Sequence, residues 1–206
     1  HRSLRRQRQM CIRDSGNGKS VKKIAVVDYG MSNLHSVTSA LRAVASDQQV
    51  IEVCQRPEDI DNADRVVFPG QGAAADCMQQ IKAGGLVSAL KKAATEKPFL
   101  GICMGMQVLM QQSDENGGTD CLALFKGSVQ QFDADMTTAA GPLKVPHMGW
   151  NQIQQTSDHP IWHGIAQDSY FYFVHSYYVA LADAAQQTGC TLSLIHISEP
   201  TRRSVI

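Results

Sequence analysis

One stretch decides the fold of this chain: Gly101-Ile102-Cys103-Met104-Gly105-Met106-Gln107. It follows an apolar run and places a cysteine between two glycines, a pattern typical of a tight turn from a strand into a helix. Glycines are needed there because neighbouring side chains would collide with the strand and the helix. We predict a helix over residues 104–112, whose N-terminal dipole would favour a thiolate at Cys103. The pattern indicates a nucleophile that attacks a carbonyl group; a buried, inert cysteine in the turn is the alternative.

A second turn rich in glycine follows a predicted strand over residues 65–68. Its sequence, Pro69-Gly70-Gln71-Gly72, allows backbone N–H groups to face outward. Attack on a carbonyl places negative charge on its oxygen, and fixed N–H donors stabilise that charge. We therefore predict an oxyanion hole at Gly70, with the amides of Gln71 and Met104 as donors. A simple turn is the alternative.

Strands and helices alternate over the first half of the chain. We predict strands over residues 24–28, 49–54, 66–68 and 98–102, a helix carrying Leu34, Val37, Leu41 and Val44, and a helical region over residues 73–97 broken near residues 84–85. This order predicts an α/β fold with a doubly wound, mostly parallel sheet and flanking helices. The carboxyl ends of the strands would bring Asp28, Gly70 and Cys103 to one edge.

The pattern changes after Leu122 to strands and loops. Residues 122–132 are predicted to be extended, residues 133–142 to form a loop, and residues 170–178 to form one aromatic-rich strand. Neither an internal repeat nor a domain linker is evident, so we predict a single domain.

Composition narrows the class of function. Between residues 21 and 191, eleven basic residues accompany seventeen acidic ones, which disfavours nucleic-acid binding. We find no apolar run long enough to span a bilayer and no signal-peptide pattern, and we expect a cytoplasmic protein. The six cysteines form neither a C-x-x-C pair nor a cluster with zinc-like spacing, so we expect no disulfide framework, no metal site and no cofactor.

Both ends differ from the sequence between them. Residues 1–20 are strongly basic and lack periodicity, and residues 192–206 follow a segment without a natural stop. Both ends resemble translated adaptor sequence. We expect them to be foreign to the domain, which we place at residues 21–191.

Taken together, the motifs carry a family resemblance. The two glycine-containing turns resemble those of class I glutamine amidotransferases, which have a flavodoxin-like fold. Three further stretches resemble the glutaminase subunits of imidazole glycerol phosphate synthase: Asp28-Tyr29-Gly30-Met31-Ser32-Asn33-Leu34, Pro146-His147-Met148-Gly149-Trp150-Asn151 and Phe173-Val174-His175-Ser176-Tyr177.

The resemblance implies a reaction and a partner. Cys103 would attack the side-chain amide of L-glutamine, release ammonia and form a glutamyl thioester that water hydrolyses. The ammonia would pass to a cyclase subunit in a heterodimer that serves histidine biosynthesis. Positions around the bound glutamine match Gln107, His175, Ser176 and Tyr177. Positions at the cyclase-facing surface match Asn33, Trp150 and Tyr172.

The chain also departs from the family pattern. The family supplies its general base and the acid that orients it in a late His-Pro-Glu triplet, which this sequence does not contain. His175 lies too early to be that base, and His196 with Glu199 has the wrong spacing. We therefore expect the C-terminal strands and final helix of the fold to be missing and catalysis to be impaired.

Two other classes of function stay open. A non-catalytic subunit could dock on the cyclase without producing ammonia. Another cysteine hydrolase with a nucleophile elbow, or an anthranilate or pyridoxal-phosphate glutaminase, could share the first two motifs, although residues 146–151 argue against those two amidotransferases.

Overall fold

The fold was analysed in a computed structural model, which describes residues 21–133, 137–138, 141–142, 145–191 and 204–205. The strands are β1 (Lys22–Val27), β2 (Gln49–Cys54), β3 (Arg65–Gly70), β4 (Phe99–Cys103), β5 (Gln112–Ser113), β6 (Thr119–Asp120), β7 (Gly127–Gln131), β8 (Thr137–Thr138), β9 (Gly141–Pro142), β10 (His147–Gln152), β11 (Gln154–Gln155), β12 (Tyr170–His175), β13 (Tyr177–Leu181), β14 (Gly189–Thr191) and β15 (Ser204–Val205). The α-helices are α1 (Leu34–Val44), α2 (Pro57–Asp61), α3 (Ala74–Ala83), α4 (Val87–Glu96) and α5 (Met104–Gln107).

A parallel sheet with the order β2-β1-β3-β4 forms the centre of the fold. Side chains of β1 alternate between its two faces, since Ala25 and Val27 belong to one hydrophobic cluster and Ile24 and Val26 to another. Both faces are therefore buried, as in sheets covered by helices on both sides. The predicted doubly wound α/β architecture is confirmed.

The helices divide between the two faces. Helix α1 presents Leu34, Val37 and Leu41 to the smaller cluster, at the spacing expected of an amphipathic helix. Helices α2, α3 and α4 bury Ile60, Ile81 and Leu90, among others, in the larger cluster. Helix α2 was not predicted, although a proline at its start and acidic residues in its first turn are the usual signals of a helix N-terminus.

The helix predicted over residues 104–112 is wrong in length, because α5 ends at Gln107. The carbonyls of the residues that follow it accept hydrogen bonds from a later segment: Val108 from Leu122 at 2.9 Å, Met110 from Ala123 at 2.8 Å, and Leu109 from Leu124 at 2.9 Å. These pairings stop the helix after one turn. Its dipole at Cys103 is consequently smaller than the prediction assumed.

The single aromatic strand predicted over residues 170–178 is in fact two strands that meet at Ser176. Strand β12 pairs antiparallel with β10, whereas β13 pairs antiparallel with β7. Within the predicted extended segment 122–132, only residues 127–131 form a strand. In the predicted loop 133–142, the described pairs β8 and β9 form a short antiparallel ladder.

The two ends fall almost wholly outside the described residues. Residues 1–20 are not described, and of residues 192–206 only β15 is, paired with β14. Within the described ranges, no helix combines the length and the apolar character that crossing a membrane requires.

Candidate active site

Cys103 ends β4 and immediately precedes α5, as the glycine pattern predicts. Its backbone has φ 55° and ψ −119°, in a region that side-chain-bearing residues seldom adopt. A backbone held in such a conformation costs about 1–3 kcal/mol and is found mainly at functional sites. The Cys103 side chain is exposed. The turn therefore presents an accessible thiol at the carboxyl edge of the sheet.

The flanking glycines are explained by backbone contacts. A methyl group on Gly105 would collide with the carbonyl oxygen of Phe68, and one on Gly101 would lie 2.9 Å from the carbonyl oxygen of Gly105. The first turn of α5 thus packs directly on the end of β3. Only glycine permits this approach, which fixes the position of Cys103.

The turn at residues 69–72 lies beside the nucleophile. Gly70 is the register partner of Cys103 in the β3–β4 ladder, and an added methyl group on Gly70 would lie 2.8 Å from the Gly105 nitrogen. Met104 occupies the first position of α5, where backbone N–H groups lack partners within the helix. Gln71 donates its N–H to the Met31 carbonyl at 2.8 Å. For the Gln71 amide to serve as an oxyanion donor, its peptide must rotate, and its predicted role stays a prediction.

A cavity of about 400 Å³ opens next to Cys103, between β4, α5 and the two aromatic strands. This volume falls in the range of small-molecule sites. Its walls are mostly apolar, and its polar groups come from Cys103, Gln107, His175 and the tyrosines. The lining residues are Leu100, Gly101, Ile102, Cys103, Met106, Gln107, Phe171, Tyr172, Phe173, Val174, His175, Tyr177, Tyr178 and Val179.

Three of the four residues predicted to surround glutamine share this cavity with Cys103. Gln107 is buried on α5, and His175 and Tyr177 approach from the facing strands. Ser176 is not among the lining residues; its carbonyl accepts a hydrogen bond from the Phe132 N–H at 3.0 Å. The structure thus brings Gln107, His175 and Tyr177 to one site and leaves Ser176 at its border.

His175 is held by two hydrogen bonds. Its Nδ1 lies 2.8 Å from the Tyr177 carbonyl oxygen and its Nε2 lies 2.9 Å from Nδ1 of His147. Because a carbonyl can only accept, His175 carries its proton on Nδ1, and His147 donates to Nε2. Burial lowers the pKa of both imidazoles, and His175 lowers that of His147 further. Among the described residues, neither histidine is hydrogen-bonded to Cys103.

The residues predicted to face a partner are exposed. Trp150 and Tyr172 are register partners in the β10–β12 pair, with ring centroids 5.6 Å apart, and their exposed fractions are 69% and 55%. Asn33 is also exposed, and its side chain accepts a hydrogen bond from the Ser36 N–H at the start of α1. We use the term exposed ribbon face for the apolar side chains on one face of this pair: Met148, Trp150, Tyr170, Tyr172 and Val174.

Sequence reasoning missed two residues beneath the site. Tyr29 and Cys77 are buried under the turn at residues 69–72, and the Tyr29 hydroxyl lies 3.6 Å from the Cys77 sulfur. Their contact joins positions 48 residues apart. No local pattern signals such a pairing, so only the tertiary structure reveals it.

The sequence matches the family Glutamine amidotransferase class-I over residues 25–201. Its relatives include the imidazole glycerol phosphate synthase subunit HisH of Hydrogenovibrio crunogenus, which is 54% identical over 79% of this chain and 75% of the relative. The HisH subunit of Methylococcus capsulatus is 52% identical over 80% of this chain and 76% of the relative.

Solved structures agree on the fold. The glutaminase domain of CTPS from Trypanosoma brucei superposes with a TM-score of 0.54 at 16% identity, covering 89% of this chain and 79% of that one. PurLQS from Thermotoga maritima superposes with a TM-score of 0.59 at 16% identity, covering 83% of this chain and 74% of that one. The family match and the sequence relatives decide the assignment: the chain belongs to the class-I glutamine amidotransferases and, within them, to the group of HisH subunits.

Proposed function

We propose that this protein is a glutaminase subunit that hydrolyses L-glutamine to glutamate and ammonia and delivers the ammonia to a cyclase partner in imidazole glycerol phosphate synthase. One observation carries the proposal: Cys103 occupies a strained turn at the mouth of the cavity, beside a second turn that can supply N–H donors. The HisH relatives support this substrate and this partner.

The chemistry uses the thiol as a nucleophile. The Cys103 sulfur forms a bond to the side-chain carbonyl carbon of glutamine, and the negative charge moves to the carbonyl oxygen. The Met104 N–H, and the Gln71 N–H after its peptide rotates, would donate to that oxygen. The carbon–nitrogen bond then breaks, the nitrogen takes up a proton and ammonia leaves. Water attacks the glutamyl thioester, releasing glutamate and restoring the thiol.

The leaving nitrogen needs a proton, and the group that supplies it is not identified among the residues that line the cavity. Both nitrogens of His175 are engaged, and among the described residues no other histidine lines the cavity. Without a positioned base, we expect turnover to be slower by roughly 10²- to 10⁴-fold, which is the usual contribution of general acid–base catalysis. Attack of the sulfur on the carbonyl does not require a base once the thiolate is present, but departure of ammonia still requires a proton on the nitrogen.

Trapping the thioester tests the proposed reaction. The protein is mixed with glutamine, the cyclase of a HisH relative and hydroxylamine, and glutamyl hydroxamate is measured by mass spectrometry. The parent chain should form hydroxamate, and Cys103→Ser should form none. Equal amounts with both proteins would refute a role of Cys103 as the nucleophile.

The bonding of His175 also favours a second candidate, a docking subunit that binds the cyclase without producing ammonia. The same experiment separates the two. Binding to the cyclase without any hydroxamate would support the docking subunit, whereas hydroxamate that depends on Cys103 excludes it.

We further propose that the cyclase binds the exposed ribbon face, with Trp150 and Tyr172 as its central contacts and Asn33 at the same surface. Large exposed apolar patches mark protein-binding sites, and aromatic residues dominate the energy of such interfaces. A cytoplasmic location is proposed together with this function.

A further inference from the structure

The Tyr29–Cys77 pair has no part in the chemistry proposed above, yet it lies directly beneath the turn that faces Cys103. Tyr29 follows β1 and Cys77 belongs to α3, and both are almost wholly buried, at 6% and 0% exposure. The Tyr29 hydroxyl donates to the Cys77 sulfur at 3.6 Å. Two polar hydrogens are thus placed in the apolar core, where an unpaired polar group is costly.

The second hydrogen bond of the pair reaches the turn itself. The Cys77 thiol donates to the Gln71 carbonyl oxygen at 3.3 Å. The Tyr29 hydroxyl lies against the Gly70 α-carbon so closely that a methyl group there would collide with it. A chain of contacts therefore runs from Tyr29 through Cys77 to Gln71, and Tyr29 also contacts the turn directly.

Both groups are protonated as this chain of hydrogen bonds requires. Burial raises the pKa of the Tyr29 hydroxyl, and burial also raises the pKa of the Cys77 thiol. Each group therefore keeps the hydrogen that it donates at neutral pH. The pair forms a neutral support under a turn that carries one of the two predicted oxyanion donors, the Gln71 N–H.

We propose that Tyr29 and Cys77 are positioning residues that anchor the turn at residues 69–72 through Gly70 and the Gln71 carbonyl, so that the peptide carrying the Gln71 N–H can rotate toward Cys103 while the turn stays in place. Neither touches the substrate; each acts through the turn. The inference rests on the proposed glutaminase function, since it assigns the turn a role in stabilising the charged intermediate.

The test compares two reagents that alkylate Cys103. A chloromethyl ketone analogue of L-glutamine passes through a tetrahedral adduct and so benefits from oxyanion stabilisation, whereas iodoacetamide reacts by direct displacement and does not. The ratio of the two second-order rates, measured by intact mass and peptide mapping, reports the oxyanion hole without requiring turnover. Exposure of the thiol and its ionisation affect both rates and cancel in the ratio.

Four substitutions give the readout. Cys77→Ala removes both hydrogen bonds of Cys77, and Tyr29→Phe removes the one from Tyr29 to Cys77. Each should lower the ratio about 10-fold, less than the roughly 10²- to 10³-fold loss of an oxyanion donor itself. Cys77→Ser keeps a hydrogen donor to Gln71 and should retain the ratio within about three-fold of the parent, although it packs no better than alanine. Cys54→Ala removes another buried thiol that donates to a carbonyl, in β2, and should leave the ratio unchanged.

The inference is supported if Cys77→Ala lowers the ratio of the two alkylation rates and Cys77→Ser restores it. If serine and alanine lower the ratio equally, or if neither lowers it, Cys77 only fills space and the inference is overturned. A parent protein that reacts no faster with the L-glutamine reagent than with its D-enantiomer refutes the proposed glutamine site itself. These results distinguish failure of the inference from failure of the function.

Discussion

Cys103 shows how single residues shape this site. Its positive-φ backbone lies between Gly101 and Gly105, and Gly105 allows α5 to rest on the Phe68 carbonyl. The unfavourable free energy of this conformation is offset by the packing of β3, β4 and α5. The nucleophile is thus positioned by steric limits at its neighbours.

Replacing Gly105 with alanine tests that account. The added methyl group would collide with Phe68, so we expect the free energy of unfolding to fall by about 1–3 kcal/mol and the reaction of Cys103 with iodoacetamide to change with it. Urea unfolding measures the first effect. Gly84→Ala is the matched control, because its methyl group would meet only ordinary contacts at 3.4 Å. Equal stability of both variants would contradict the steric explanation.

The His147–His175 pair predicts a response to pH. The folded pKa values of both imidazoles lie below 6.5, the value for an unperturbed histidine, because burial disfavours the charged form. As pH falls through 6.5, the unfolded chain therefore binds more protons than the folded one, and stability declines. The ion-paired Asp59 and Asp64 have lowered pKa values and lose their stabilising contribution only at more acidic pH, below about 4.

We expect His147→Gln to remove part of the decline in stability between about pH 7 and pH 5. Urea unfolding at a series of pH values measures it. His163→Gln, at an exposed histidine, serves as the control and should keep the full decline. The same decline in the parent and in His147→Gln would contradict an energetic role of the buried pair.

At the scale of elements, the β10–β12 pair lies at both the cavity and the proposed partner surface. Because strand side chains alternate, Phe171, Phe173 and His175 are half-buried while Tyr170, Tyr172 and Val174 are exposed, although all of residues 171–175 border the cavity. Strand β12 thus borders the cavity and also contributes side chains to the proposed partner surface. The proposed partner surface and the cavity are therefore adjacent.

Trp150→Ala tests the partner surface. The side chain is mostly exposed in the free protein, so stability should change little, whereas the dissociation constant for the cyclase should rise at least about 30-fold if Trp150 is a central contact worth about 2 kcal/mol. Isothermal titration calorimetry gives the constant. Val44→Ala removes an even more exposed apolar side chain from α1 and should not affect binding. A change of less than about two-fold for Trp150→Ala would place the interface elsewhere.

At the scale of the whole molecule, the sheet is buried in its centre and partly exposed at both edges, and Val50 and Val53 in β2 keep 42% and 46% of their surface. Val26, Val27 and Phe68 are fully enclosed, whereas Leu100 and Ile102 in β4 keep 39% and 37% of their surface. The exposed ribbon face adds further apolar surface. Much of the binding free energy of a partner could therefore come from burying what the isolated chain leaves in water.

Cyclase binding should consequently stabilise the fold. With free cyclase at 100 times its dissociation constant, the expected gain in the free energy of unfolding is about 2.7 kcal/mol, because the partner binds only the folded state. Differential scanning fluorimetry across a cyclase titration measures the shift in melting temperature. A melting temperature that stays constant through the titration would show that the two proteins do not associate.

The sequence by itself determined the local features of this protein: the parallel strands β1 to β4, helix α1, the turn at Cys103 and the cavity residues Gln107, His175 and Tyr177. The strands, the helix and the turn depend on apolar periodicity and on the steric limits of glycine, which act over a few residues, whereas Gln107, His175 and Tyr177 were implied by the family resemblance. The tertiary structure decided where α5 stops, where the aromatic segment splits at Ser176, that the two histidines bond to each other and that Tyr29 and Cys77 support the active-site turn. Each of these depends on hydrogen bonds between segments far apart in sequence, and such pairings form only when the fold brings the segments together.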